Sequence, residues 1–240
     1  ILTLAVLYMN QIVSSLTITP LRVFYYNEKN IFQGKYLSST MFFYLLISAV
    51  LAIFFFLAPP SIFNNLGLDN LSKNILKLFS IYLFLDLIHN FLRQTLNLIK
   101  NFYYAFIANL VNVLIKFFLL VYFLLSNQLT LEKIYLAFVV SFIPGLIFIF
   151  YYLFRKKYFL LIFTFSSFYN YFKKNINYGL FNLMAISAQF FSSNYILLII
   201  SANIGSYYVG VIKIIQNCFS ILHPLYSIIN NIEITSLSSL

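Results

Sequence analysis

Four polar side chains share one stripe of an otherwise apolar run. In LDLIHNFLR, Leu85 to Arg93, the steps between Asp86, His89, Asn90 and Arg93 are three and four residues, which places them on one face of a helix. A carboxylate and an imidazole on such a stripe can bind a sodium ion or pass a proton, and histidine is the side chain best suited to change its charge near neutral pH. Asp86 and His89 are therefore candidates for ion coupling. A carboxylate wetted from alternating sides of a membrane would have its occupancy tied to which side is open. The same residues also suit an internal network that only joins helices.

Other polar residues fall inside apolar runs, where an isolated charge costs several kcal/mol and usually faces a bundle interior or a wet cavity. Lys116, in NVLIKFFLL, is central to its run. It can supply positive potential to a cavity, pair with Asp86 on a neighbouring helix, or snorkel to an interface. Lys213, in VGVIKIIQN, is a second internal cation, and Arg93 a third nearer a helix end. Asn10 belongs to YMNQIVSSLTITP, whose Asn, Gln, Ser and Thr residues supply hydrogen bonds for helix packing or for a hydroxyl-rich ligand. Pro144, followed by Gly145, is the strongest bend or hinge candidate among Pro20, Pro144 and Pro224, since a proline removes a donor and crowds the preceding turn.

The elements that must position these groups are membrane helices. Of 240 residues, 62% are hydrophobic and 8% charged, with a mean hydropathy of +0.91, against about 25% charged for an ordinary soluble domain. Seven runs reach the roughly 20 apolar residues that a spanning helix needs, at about 1–21, 38–59, 75–96, 103–126, 133–154, 177–202 and 206–230. Strands are excluded by run length and by the lack of hairpin punctuation. The fold class expected is an all-α, polytopic transmembrane bundle.

Alternate connections are basic. Arg22, Lys29 and Lys35 follow the first run, Arg93 and Lys100 the third, and Arg155, Lys156, Lys157, Lys173 and Lys174 the fifth. The positive-inside rule then puts 22–37, 93–102 and 155–175 in the cytoplasm, with 60–74, 127–132 and 203–205 on the other face. Segment 155–175 contains an apolar stretch too short to span and is predicted to be an interfacial helix or loop. A chain opening at Ile1 inside an apolar run, without a basic n-region, reads as carrying no signal peptide, and both ends look cut from a longer protein.

The net charge of +10 belongs to this topological pattern rather than to a nucleic-acid-binding module, and no nucleic acid is expected as partner. Cys218 is the single cysteine, which excludes an internal disulfide. Phosphate loops, catalytic carboxylate pairs, nucleophile motifs and metal-ligand series are absent from the sequence. A non-enzymatic protein without cofactor or metal is expected.

Three segments carry a resemblance to a known family. YMNQIVSSLTITPLRVFYY is similar to the second helix, FLRQTLNLIKNFYYAFIANLV to the fourth-helix junction, and NYGLFNLMAISAQFFSSNYILLIISANIGSYYVGVIKIIQNCFSIL to the seventh and eighth helices, of the polysaccharide-export branch of the multidrug/oligosaccharidyl-lipid/polysaccharide exporter superfamily, the Wzx-type O-antigen and capsule flippases. The resemblance implies a MATE-like fold, with residues 1–154 as first-lobe helices, 155–175 as a linker and 176–240 as the start of a second lobe. It implies ion-coupled alternating access, driven by protons or sodium, that exports an undecaprenyl-pyrophosphate-linked oligosaccharide across a bacterial inner membrane. Lys116, Lys213, Arg93 and Asn10 would contact substrate, among membrane lipids and beside polysaccharide polymerase and glycosyltransferase partners. A small-molecule antiporter predicts an acidic, aromatic cavity instead. A membrane glycosyltransferase or polymerase predicts a large outer loop or clustered acidic and arginine residues.

Overall fold

The computed structural model describes residues 2–27, 30–59, 72–156, 158, 165–203 and 211–212. Helices account for nearly all of them: α1 (Leu2–Leu16), α2 (Ile18–Phe24), a 3-10 turn (Tyr25–Asn27), α3 (Asn30–Leu57), α4 (Lys73–Leu98), α5 (Phe102–Leu125), α6 (Leu131–Arg155) and α7 (Phe165–Asn203). Four of these are long and apolar enough to cross a membrane, Gln33–Leu57, Lys73–Leu98, Phe102–Leu125 and Leu131–Arg155. The chain is thus a multi-pass, all-α membrane bundle.

The first expected run is interrupted. Pro20 has no N–H to offer the Leu16 carbonyl and its ring crowds that group, so the helix breaks at Thr17, one turn earlier. Side-chain hydroxyls bond to the backbone at the break, with Ser15 Oγ donating to the Ile12 carbonyl at 2.8 Å and Thr17 Oγ1 to that of Val13 at 2.5 Å.

The segment expected to be an interfacial linker also differs. From Phe165 it forms the start of a 39-residue helix that continues through the expected lobe boundary at 176. Nothing in that stretch stops a helix: it holds no proline, and Gly179 is its lone glycine. The seventh run, 206–230, lies outside the described residues apart from 211–212.

Short turns make α4, α5 and α6 antiparallel neighbours. Both turns use the same helix stop, a residue in the left-handed region followed by a bond back over the last turn. Lys100 has φ 61° and Asn127 φ 53°. Asn101 N–H then donates to the Leu96 carbonyl at 2.8 Å, and Gln128 N–H to that of Phe123 at 2.9 Å. At one end of the bundle Ser72 Oγ donates to Glu132 at 3.3 Å. At the other, Tyr104 stacks on Tyr152 with centroids 3.9 Å apart, which brings Lys100 and Arg155 to the same end, as their shared assignment to one membrane face requires.

The core is built around α4, which packs on both α3 and α6 and buries Leu76, Phe79, Leu83, Leu87, Leu92 and Leu96 completely. Tyr44 of α3 donates to the Leu87 carbonyl at 2.7 Å. Helix α7 lies against α1 and α3. There Tyr36 donates to Asn175 at 2.6 Å, and Asn175 donates to Thr40 at 3.3 Å; these groups stay satisfied although Asn175 is buried.

Gly179 sets how closely α7 approaches the break in α1. A Cβ there would stand 2.8 Å from Leu16 Cα and 2.9 Å from the Ser15 carbonyl oxygen, both of them backbone atoms that no rotamer change can move. Small residues serve this purpose where membrane helices meet. Gly179→Ala is expected to cost about 1–3 kcal/mol, within the range for overpacking, measured as a lowered unfolding midpoint of the detergent-solubilised protein. Gly179→Leu should cost more, and an unchanged midpoint in both would remove the close contact.

Candidate functional site

The stripe on α4 meets α1 through a directed chain of hydrogen bonds. Arg93 Nη2 donates to Asn90 Oδ1 at 3.1 Å. Asn90 Nδ2 donates to Asn10 Oδ1 at 3.3 Å, and to Ser14 Oγ at 3.5 Å. Asn10 Nδ2 donates to Asp86 Oδ2 at 2.6 Å. A guanidinium only donates and an ionised carboxylate only accepts, so the two ends fix the orientation of both amides between them. The relay joins cation to anion without direct contact and fastens α1 to α4.

Beside the relay is a cavity of about 370 Å³, within the size range of small-molecule sites. Its floor is α4, with Tyr82, Asp86, His89, Asn90 and Arg93; Val6, Leu7 and Asn10 of α1 form one wall, and Asn109, Asn112, Val113 and Lys116 of α5 the other. Phe142 of α6 closes the back. Among the described residues α1 and α5 do not touch, so the cavity is the gap between them.

Three buried polar atoms of lining residues have no hydrogen-bond partner: His89 Nε2, Arg93 Nε and Asn112 Oδ1. Leaving such an atom unsatisfied costs about 1–3 kcal/mol. Lys116 is held from the other side by aromatic faces. Its Nζ lies 4.8 Å from the Phe138 ring centroid and 5.4 Å from that of Phe142, in reach of cation–π attraction. Lys116 and Arg93 both act electrostatically on Asp86.

Five residues singled out in the sequence, Asn10, Asp86, His89, Arg93 and Lys116, therefore line one cavity. Lys213 lies outside the described residues. Pro144 sits inside α6, which continues unbroken from Leu131 to Arg155. Its neighbour Gly145 has a packing role: a Cβ would come within 3.1 Å of the Ala108 carbonyl and 3.6 Å of His89 Nε2, so α5, α6 and the histidine converge there.

The sequence reading did not select Asn109, Asn112 and Tyr82 as site residues, and gave Asn90 no role. A signal for two of them was present. Asn109, Asn112 and Lys116 repeat on α5 the spacing of three and four that marks the α4 stripe, which makes one polar face of an otherwise apolar helix.

Comparison with protein-family models, with curated proteins and with solved structures gives no match. The class therefore rests on architecture, that of a polytopic helical bundle with the general shape of membrane transporters. Among the described residues no three His, Cys, Asp or Glu side chains converge as a metal site.

The relay has an energetic test. Asn10→Ala should lower stability by about 1–3 kcal/mol, since it leaves a carboxylate and an amide short of partners. In an Asp86→Leu background the same change should cost much less, because the demand at the end of the chain is gone. Unfolding of the four proteins in one detergent measures this, and equal losses in both backgrounds would show that the two residues are uncoupled.

Proposed function

We propose that this chain is part of an exporter that moves an anionic, hydroxyl-rich, lipid-linked substrate across a bacterial cytoplasmic membrane. The substrate class that suits it is the undecaprenyl-pyrophosphate-linked oligosaccharide of the Wzx-type flippases. The observation that carries this reading is the cavity between α1 and α5, where two cations, Arg93 and Lys116, outnumber one carboxylate and the amides of Asn10, Asn90, Asn109 and Asn112 line the same space. Charge of that sign favours pyrophosphate, and mixed amide and imidazole groups suit sugar hydroxyls. A cation-extruding antiporter would need the opposite balance.

In this proposal the protein carries its substrate without altering it covalently, and the cavity opens alternately to each face. Lys116 and Arg93 offset phosphate charge, with Lys213 as a further cation; Asn10 and Asn112 bond to sugar hydroxyls. Asp86 and His89 couple the motion to protons or sodium, and Pro144 remains the proposed hinge. Further helices beyond those described would supply the opposing lobe. The family-level partners, a polymerase and glycosyltransferases, belong to this proposal as well.

The full-length protein reconstituted into proteoliposomes should translocate lipid-pyrophosphate oligosaccharide. Lys116→Ala should reduce the rate at least about tenfold, the equivalent of one lost charge-assisted contact, while Lys116→Arg should retain most of it. Absence of transport across a range of lipid-linked donors would refute the reading, and equal rates in all three forms would refute the role of the lysine.

A further inference from the structure

The cavity does not end at Arg93. A second polar chamber of about 200 Å³ adjoins it, lined by Arg93, Asn97, Phe102, Ala105, Phe106 and Asn109. Arg93 and Asn109 line both chambers and form the boundary between them. The outer one lies at the end of the bundle where α4 turns into α5, beside Lys100 in the turn.

Its walls are of two kinds. Arg93, Asn97 and Asn109 supply polar groups from facing positions on α4 and α5, whereas Phe102 and Phe106 are 62% and 63% exposed. Phe102 and Phe106 open a helix long and apolar enough to cross a membrane, which suits these exposed rings to lipid near the interface. Arg93 uses Nη2 on Asn90. A guanidinium presents several donors in a planar fork suited to phosphate oxygens. One donor of this one is occupied by the relay, and the residue also lines the outer chamber.

We propose that the outer chamber is a landing site for a phosphate-bearing group, held by Arg93, Asn97 and Asn109 before it passes Arg93 into the inner cavity. The phosphate approaches along the seam between α4 and α5, with Phe102 and Phe106 against the apolar chain of a lipid. This rests on the reading of the inner cavity as a substrate chamber, and it adds the route by which the headgroup arrives and the residues that first hold it. Asn97 is assigned to the landing step because it lines the outer chamber alone.

These 240 residues contain no tryptophan, so Phe106→Trp, with any tryptophan elsewhere in the full-length protein replaced by phenylalanine, gives a single indole on the chamber wall. In the full-length protein in phosphatidylcholine nanodiscs, titration with a short-chain phosphatidic acid should shift the indole emission saturably, and short-chain phosphatidylcholine should not. Asn97→Leu and Asn109→Asp in that background should each raise Kd about tenfold or more, the effect of losing a hydrogen bond to a charged group. Inorganic pyrophosphate forms a separate arm. Binding of pyrophosphate alone, weakened by the same variants, would support phosphate recognition and assign its source to the aqueous side; binding of phosphatidic acid assigns it to the membrane. A silent indole in both arms, or Kd values unchanged in both variants, would overturn the proposal. Transport with a silent indole removes the landing site but keeps the exporter, and a responsive indole without transport does the reverse.

Discussion

A carboxylate placed within a membrane helix needs a positive counterpart, and here it is reached through two amides. Asp86 is seven residues from Arg93 on the same helix, about 10 Å along the axis, too far for direct contact by a short acidic side chain. Asn90 and Asn10 close that distance by donating in sequence toward the carboxylate. Because Asn10 stands on α1, this hydrogen-bonded path leaves α4 and returns to it, while Lys116 adds positive potential from α5. The position of α1 is thereby made part of the solution to burying Asp86. A direct ion pair on α4 would have placed no such demand on a neighbouring helix.

The opposite wall is held by different forces. Helix α5 packs chiefly on α6, and most of its surface remains exposed, with Ala105, Ala108, Asn112 and Phe123 as its buried residues. Its single internal cation lies on rings of α6. Gly145 permits the backbone of α6 to approach Ala108 closely, which draws α5 toward α6 and away from α1. The gap is thus a consequence of two attachments pulling in different directions: the amide relay keeps α1 at the stripe, and close packing keeps α5 with its hairpin partner.

Much of this was legible in the residues. Hydropathy alone locates α4, α5 and α6 closely, since spanning helices satisfy their backbone internally and need little else. The α4 stripe was legible because a period of three and four among polar residues is conspicuous where every other position is apolar. Less legible was the break at Thr17, since Pro20 acts on the carbonyl four residues before it and the apolar run itself shows no interruption. The length of α7 was hidden for the converse reason: hydropathy falls around Lys173 to Asn177, but no proline stands there to end the helix. The partner of Asp86 was not legible either. Nothing in sequence distinguishes Asn10 from Gln11 or Ser14 as the residue facing α4, because that depends on how α1 is rotated against α7, where Tyr8 bonds Ser187 and stacks on Phe190.

The relay also has a sense that cannot be reversed. If Asp86 took up a proton and donated it, Asn10 would have to turn its oxygen toward the carboxyl and its nitrogen toward Asn90. Asn90 would then have to present its own oxygen to Asn10 and its nitrogen to Arg93, where a guanidinium offers no acceptor. One donor would face another at that final link, and an unmade buried bond costs about as much as the relay had contributed. The relay therefore holds Asp86 Oδ2 as an acceptor, and that acceptor and the attached position of α1 support each other. A wall of the cavity is thus joined to the carboxyl on its floor by atoms that all lie within this chain.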